Sequence, residues 1–106
     1  MRKIIAVDFD GTICTDAYPE IGEPKWDVIN KLKIEKARGA ALILWTCRCG
    51  MDLFAAIRAC YEWGLEFDAV NENLPESKER WGNDPRKIAA DIYLDDRAMN
   101  VKEVLI

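Results

Sequence analysis

An unbroken apolar run, Ile4 to Val7, ends in Asp8-Phe9-Asp10 and turns at Gly11, and this feature most limits how the chain can fold. Four consecutive apolar residues without polar alternation fit a strand buried on both faces, as strands inside a parallel sheet are. Side chains two apart on an extended segment point the same way, so Asp8 and Asp10 are expected to converge where the strand runs out. Gly11 lets the backbone turn, and Thr12 adds a hydroxyl. Two acids beside a turn of backbone amides do little for stability. They suit a divalent cation and attack on a phosphoryl group. Asp-Gly is also a common hairpin turn, and Asp a common helix N-cap, so the motif needs support from other strands.

That support comes from two further apolar runs. Ala40 to Trp45 ends in Thr46, Cys47 and Arg48, and Asp91 to Leu94 ends in Asp95-Asp96. Both read as buried strands, and Phe67 to Val70 reads as another parallel strand, ahead of Asn71 and Asn73. Helical periods lie between them. Trp26, Ile29, Leu32, Lys33 and Lys36 recur at three- and four-residue steps after Pro24 and stop at Gly39; Leu53, Ala56, Ile57, Cys60 and Tyr61 do so before Gly64. Apolar strands alternating with helices of this length predict right-handed βαβ units and a parallel sheet. The expected fold is one α/β domain over residues 1–106, with about four strands in the order third, second, first, fourth and helices on both faces. Asp8, Thr46, Asp95 and Asp96 would then share the carboxyl rim, where open α/β sheets bind ligands.

Composition narrows the function. A formal net charge of −4 argues against binding along nucleic-acid backbones, which rewards a basic surface. No run is long enough to span a bilayer, and the first apolar run is too short for a signal peptide, so a cytoplasmic protein without a membrane partner is expected. Histidine is absent, which excludes His-based triads and leaves acid–base work to carboxylates, lysine or cysteine. The cysteines are Cys14, Cys47, Cys49 and Cys60. Cys47-x-Cys49 lacks a second close pair or histidines to complete a zinc site, and Cys60 reads as a small core residue on its helix.

Asp8-Phe9-Asp10-Gly11-Thr12, a strand ending in Thr46, a lysine, and a strand ending in Asp95-Asp96 together resemble the four motifs of the haloacid dehalogenase superfamily. The order matches over nearly the whole chain. The stretches Trp45 to Gly50, Gly64 to Asn73 and Ala90 to Ala98 are similar to small capless members of bacteria and phages. The resemblance implies a three-layer Rossmann-like sandwich and a Mg2+-dependent phosphatase acting on a phosphorylated substrate. Asp8 would be the nucleophile that forms an aspartyl-phosphate, and Asp10 the acid and then the base. Thr46 would bind phosphoryl oxygens. Asp96, with Asp95, would complete a Mg2+ site with Asp8 and Asp10, the last through its backbone carbonyl. Gly11, Thr12, Cys47 and Arg48 would line the phosphate site. Lys87, eight residues before Asp95, is the expected motif lysine, with Lys78 its competitor.

Arg48 has a second reading, as a surface salt bridge. Asn71 and Asn73 read first as turn formers. Trp81, in a polar loop, is a candidate to stack on a substrate ring. Gly11 to Pro24 is too short for a cap domain, and Asn71 to Arg86 reads as a loop. An open site is expected, acting on a larger phosphorylated partner or closed by a loop or by a neighbouring subunit of a homo-oligomer. The alternatives are a non-catalytic scaffold of the same fold and a receiver-like phosphoacceptor domain. The second is disfavoured because the DxD strand comes first and the adjacent acids last.

Overall fold

The computed structural model describes residues 2–104. Strands β1 (Ile4–Val7), β2 (Ala41–Leu44), β3 (Ala69–Val70) and β4 (Ile92–Leu94) form one sheet in the order β3-β2-β1-β4. Every pairing is parallel, with Ile4 opposite Ala41, Ile43 opposite Ala69 and Ile5 opposite Ile92. Helices α1 (Trp26–Ala37), α2 (Gly50–Glu62), α3 (Pro75–Trp81) and α4 (Val101–Val104) complete the order β1-α1-β2-α2-β3-α3-β4-α4.

The strand order dictates which face each helix covers. Two successive right-handed crossovers step from β1 to β2 to β3 in one direction, so α1 and α2 share a face. Their Ile29, Leu32, Ala56 and Cys60 pack there on Ile5, Val7, Leu42 and Leu44. The return to β4 on the far side of β1 sends the chain across the opposite face, where Leu74 and Ile88 cover Ile4, Ala6, Ala41 and Ile43. Alternate residues of β1 and β2 thus feed two cores, which explains why both strands are apolar throughout. Burial pushes the Cys60 thiol up to about 12, the behaviour of a core residue. No helix among the described residues is long and apolar enough to cross a membrane.

Three elements differ from the sequence reading. The stretch Asn71 to Arg86 is not all loop, because α3 occupies its middle. Its punctuation is regular, with Pro75 at the first turn and Gly82 in the left-handed region at φ 71°. Only Ser77 of the helix is buried, so no apolar period marks it. Trp81 therefore ends a helix. It lines a hollow with Arg2, Lys3 and Asp91 at the amino end of the sheet, away from the acids of the carboxyl rim. Finally, β4 is an edge strand whose three residues are 37–41% exposed, not a buried one.

Candidate active site at the carboxyl rim

The chain leaves β1 toward β2 on one side and reaches β4 on the other, so the carboxyl ends of β1 and β4 flank the topological switch point of the sheet. Asp8 follows β1 there, and Asp95 and Asp96 follow β4. The Asp8 N–H donates to Leu94 O at 2.9 Å, which carries the strand pairing up to the acids. Carboxylate oxygens of Asp8, Asp95 and Asp96 all lie within 4.8 Å of one another. Burial, then the charges of Asp95 and Asp96, push the Asp8 carboxyl up to about 6.

Thr12 ties the two loops together. Its Oγ1 accepts the Asp96 N–H at 3.0 Å, and it lies 3.3 Å from Asp8 Oδ2 and 3.5 Å from Asp96 Oδ1. The hydroxyl that sequence reading offered to a phosphate is thus occupied in positioning two carboxylates. Gly11 makes this approach feasible. Its φ is 87°, and a Cβ there would stand 2.3 Å from Asp96 Oδ2. Gly11→Ala is expected to cost about 1–2 kcal/mol for the left-handed backbone, and further for pushing Asp96 aside. A urea titration measures it; an unchanged midpoint would contradict the close approach.

The second acid of the DxD pair faces a different partner. Arg48 Nε and Nη2 donate to Asp10 Oδ2 and Oδ1 at 2.8 and 2.7 Å, a bidentate fork. The remaining guanidinium hydrogens go to the carbonyls of Pro19, Glu20 and Asp52 at 2.8–3.3 Å. Arg48 is 2% exposed and is sandwiched between the rings of Phe9 and Tyr18 at 5.0 and 5.1 Å. It is neither an open anion receptor nor a surface salt bridge. These hydrogen bonds to Asp10 raise its pKa above the ordinary guanidinium value. The Asp10 carboxylate accordingly lies outside the acidic triad of Asp8, Asp95 and Asp96.

Thr46 closes the β2 side of the site. Its N–H donates to Asn71 Oδ1 at 2.8 Å, and its Oγ1 accepts the Arg48 N–H at 3.2 Å. Asn71 has φ 53°, the conformation expected of a turn former. Asn73 is 1% exposed and organises the following segment. It donates to Asp84 Oδ1 at 2.7 Å and accepts the Ala89 N–H at 2.7 Å. Neither lysine reaches the acids. Lys87 Nζ lies over the Tyr93 ring at 5.8 Å, and Lys78 pairs with Glu72 at 3.1 Å and Asp84 at 3.6 Å.

Asp8, Asp10, Thr46, Cys47, Arg48, Asp95 and Asp96 all line one open hollow of about 370 Å³. The sequence reading missed three contributors. Asp16 and Tyr18 line the same hollow, from a loop whose only sequence cue was its position after the DxD turn. Lys25 Nζ donates to Gly11 O at 2.8 Å and so steadies that turn from outside. Arg97 also lines the hollow, but five aspartates against two arginines leave it strongly negative. An anionic ligand would meet repulsion there unless a cation offset the charge.

No family model and no curated protein matches this chain. Among solved structures, a conserved protein from Bacteroides thetaiotaomicron is similar, with 40% identity and a TM-score of 0.81 over 99% of this chain and 87% of that one. Identity of that degree over nearly the full length of both places this chain in the same family as the conserved Bacteroides thetaiotaomicron protein.

Proposed function

We propose that the protein is a Mg2+-dependent phosphomonoesterase of the haloacid dehalogenase type, working through an aspartyl-phosphate on Asp8. The observation that carries this reading is the meeting of Asp8, Asp95 and Asp96 at the switch point, with the Thr46 side of the rim across the same hollow. Three carboxylates are a hard-oxygen set of the kind Mg2+ takes. Oxygens on one Mg2+ lie no more than about 4.2 Å apart, twice the ~2.1 Å ligand distance, so a spread of at most 4.8 Å needs little closure. Asp8, Asp95 and Asp96 would hold the ion, which supplies charge neutralisation at the phosphoryl oxygens.

The chain's own groups divide the remaining work. An Asp8 oxygen attacks phosphorus as the ester P–O bond breaks, and the leaving oxygen takes a proton from Asp10, which its resting ion pair with Arg48 leaves as a carboxylate and which must first take that proton from solvent. Water then cleaves the acyl phosphate, giving its proton back to Asp10 and releasing inorganic phosphate and Asp8. Each carboxylate oxygen has two lone-pair directions, and Arg48 uses one on each oxygen of Asp10. The others stay available for a proton in transit, while the fork keeps the group from swinging away. Thr46, on the wall of the hollow, would donate its hydroxyl to a phosphoryl oxygen. Arg97 takes the part sought in a lysine, as a cation at the rim of the hollow.

The test is release of phosphate from an aryl phosphate with Mg2+ and with chelator, with beryllium fluoride as inhibitor. Turnover that needs the metal and is blocked by the fluoride supports the reading. Mg2+ binding by calorimetry with no monoester turned over would replace it with a non-catalytic scaffold.

A further inference from the structure

Tyr18 is an unusual surface residue. A tyrosine 59% exposed is ordinarily free to change rotamer, yet this ring is held on several sides. The Arg48 guanidinium lies 5.1 Å from its centroid, and its hydroxyl donates to Asp52 Oδ2 at 3.4 Å. The loop beneath it is pinned as well. The Tyr18 N–H donates to Asp16 Oδ1, Arg48 holds the carbonyls of Pro19 and Glu20, and Thr15 exchanges hydrogen bonds with Glu23. Gly22 lets that loop close on itself, because a Cβ there would stand 1.9 Å from Thr15 O. One ring face rests on the guanidinium, and Tyr18 lines the hollow that also holds Asp8 and Thr46.

Resting on the phosphatase reading, we propose that the substrate's leaving group carries a planar aromatic ring that stacks on Tyr18. An exposed ring fixed in advance loses little conformational freedom when a second ring lies on it, so contact energy is not spent on ordering. The hollow, about 370 Å³ and open on one side, accommodates a phosphate with one ring system. Two substrate chemistries satisfy this arrangement: an aryl phosphate, with the ring on the ester oxygen, and a nucleoside monophosphate, with a sugar between. Both present the same recognition element to Tyr18.

The experiment compares kcat/KM for phenyl phosphate, adenosine 5′-monophosphate, ribose 5-phosphate and glycerol 3-phosphate in wild type, Tyr18→Phe and Tyr18→Leu. The wild type is expected to prefer ring-bearing over ring-free esters, and the better ring ester tells the aryl source from the nucleoside one. Tyr18→Leu should lower the ring to ring-free ratio by about 5- to 150-fold, the span of one stacked base. Tyr18→Phe, which keeps the ring and loses the bond to Asp52, should retain most of that ratio. A ratio unchanged in Tyr18→Leu, or all esters slowed alike, overturns the proposal and leaves Tyr18 a support for Arg48. If the wild type hydrolyses no ester, the phosphatase reading has failed, and calorimetry reads the stacking separately. Adenosine 5′-monophosphate should then bind more tightly than ribose 5-phosphate in the wild type and lose that advantage in Tyr18→Leu; equal binding overturns it.

Discussion

If the protein is the proposed phosphatase, Asp8→Asn is expected to end metal-dependent ester hydrolysis, by on the order of 10⁴-fold or more as for covalent nucleophiles, and in either case to make the metal-free protein more stable. The two effects share one cause. Asp8 is held within reach of Asp95 and Asp96 in a partly desolvated position, which lifts its carboxyl from an ordinary 3.8 to about 6. An acid whose folded pKa is raised adds stability below its unfolded value and loses that contribution as pH rises through the folded one. The folded protein therefore gives up stability between about pH 4 and pH 6, and at pH 7.5 it carries the whole loss. About two pKa units correspond to roughly 3 kcal/mol, which solvent screening of a half-exposed group reduces to about 1–2 kcal/mol. The neutral asparagine should recover that amount at pH 7.5, about a third of it at pH 4.5 and almost none at about pH 3, as measured by urea unfolding with chelator present. Added Mg2+ should reverse the ranking, since binding to the folded state stabilises it and needs the carboxylate. A loss of stability in Asp8→Asn at pH 7.5 would mean that the acids do not repel one another as the geometry requires.

How much of this was legible depended on whether a residue's role is local. Ile4 to Asp8 could be read almost completely, because a strand buried on both faces is set by adjacent residues. The same holds for α1 between Pro24 and Gly39, and for the strand order, which follows from crossover handedness and the position of the DxD strand. Asp10, expected to converge with Asp8, turns to Arg48 instead. Arg48 could not be read this way. Its neighbours in sequence are Cys47 and Cys49, both exposed, and nothing in them indicates burial. Its burial comes from Asp10, 38 residues away, and from the loop carbonyls that β1 and β2 bring to it when they pair.

The lysine expectation failed to find its place for a related reason. Spacing from Asp95 positions Lys87 along the chain but not across the sheet. Ile88 is drawn into the core on the α3 face, and the Tyr93 hydroxyl donates to its carbonyl, so Lys87 is left over the Tyr93 ring. Helix α3 was hidden because a helix that buries only Ser77 shows no apolar stripe, whatever its end signals say. Proline and glycine punctuation alone marked it, and the same residues also mark loops.

Arg48→Ala is expected to be the most destabilising single truncation at the site, by about 3–5 kcal/mol, the cost of removing one partner from a buried ion pair. The reasoning rests on what would be left behind. Asp10 would keep a carboxylate, 18% exposed, with neither of its Arg48 hydrogen bonds. The carbonyls of Pro19, Glu20 and Asp52 would lose their donor, and the rings of Phe9 and Tyr18 the group between them. Native domains have only about 5–15 kcal/mol in all, so the midpoint of thermal unfolding should fall by more than about 10 °C. Arg48→Lys should recover only part of the loss, because an ammonium cannot bridge both Asp10 oxygens and also reach the three carbonyls. Replacing both members, as Asp10→Asn with Arg48→Met, should cost less than Arg48→Ala alone, since no charge is then left buried without its partner. A cost below about 1 kcal/mol for Arg48→Ala, as for an exposed pair, would show that the fork does not hold in solution. Asp8 and Asp10, two residues apart just past β1, would then respond to mutation with the same sign. The structure requires opposite signs: Asp8 sits where repulsion from Asp95 and Asp96 lowers stability, and Asp10 is the anchor on which Arg48 fastens the loop that carries Tyr18.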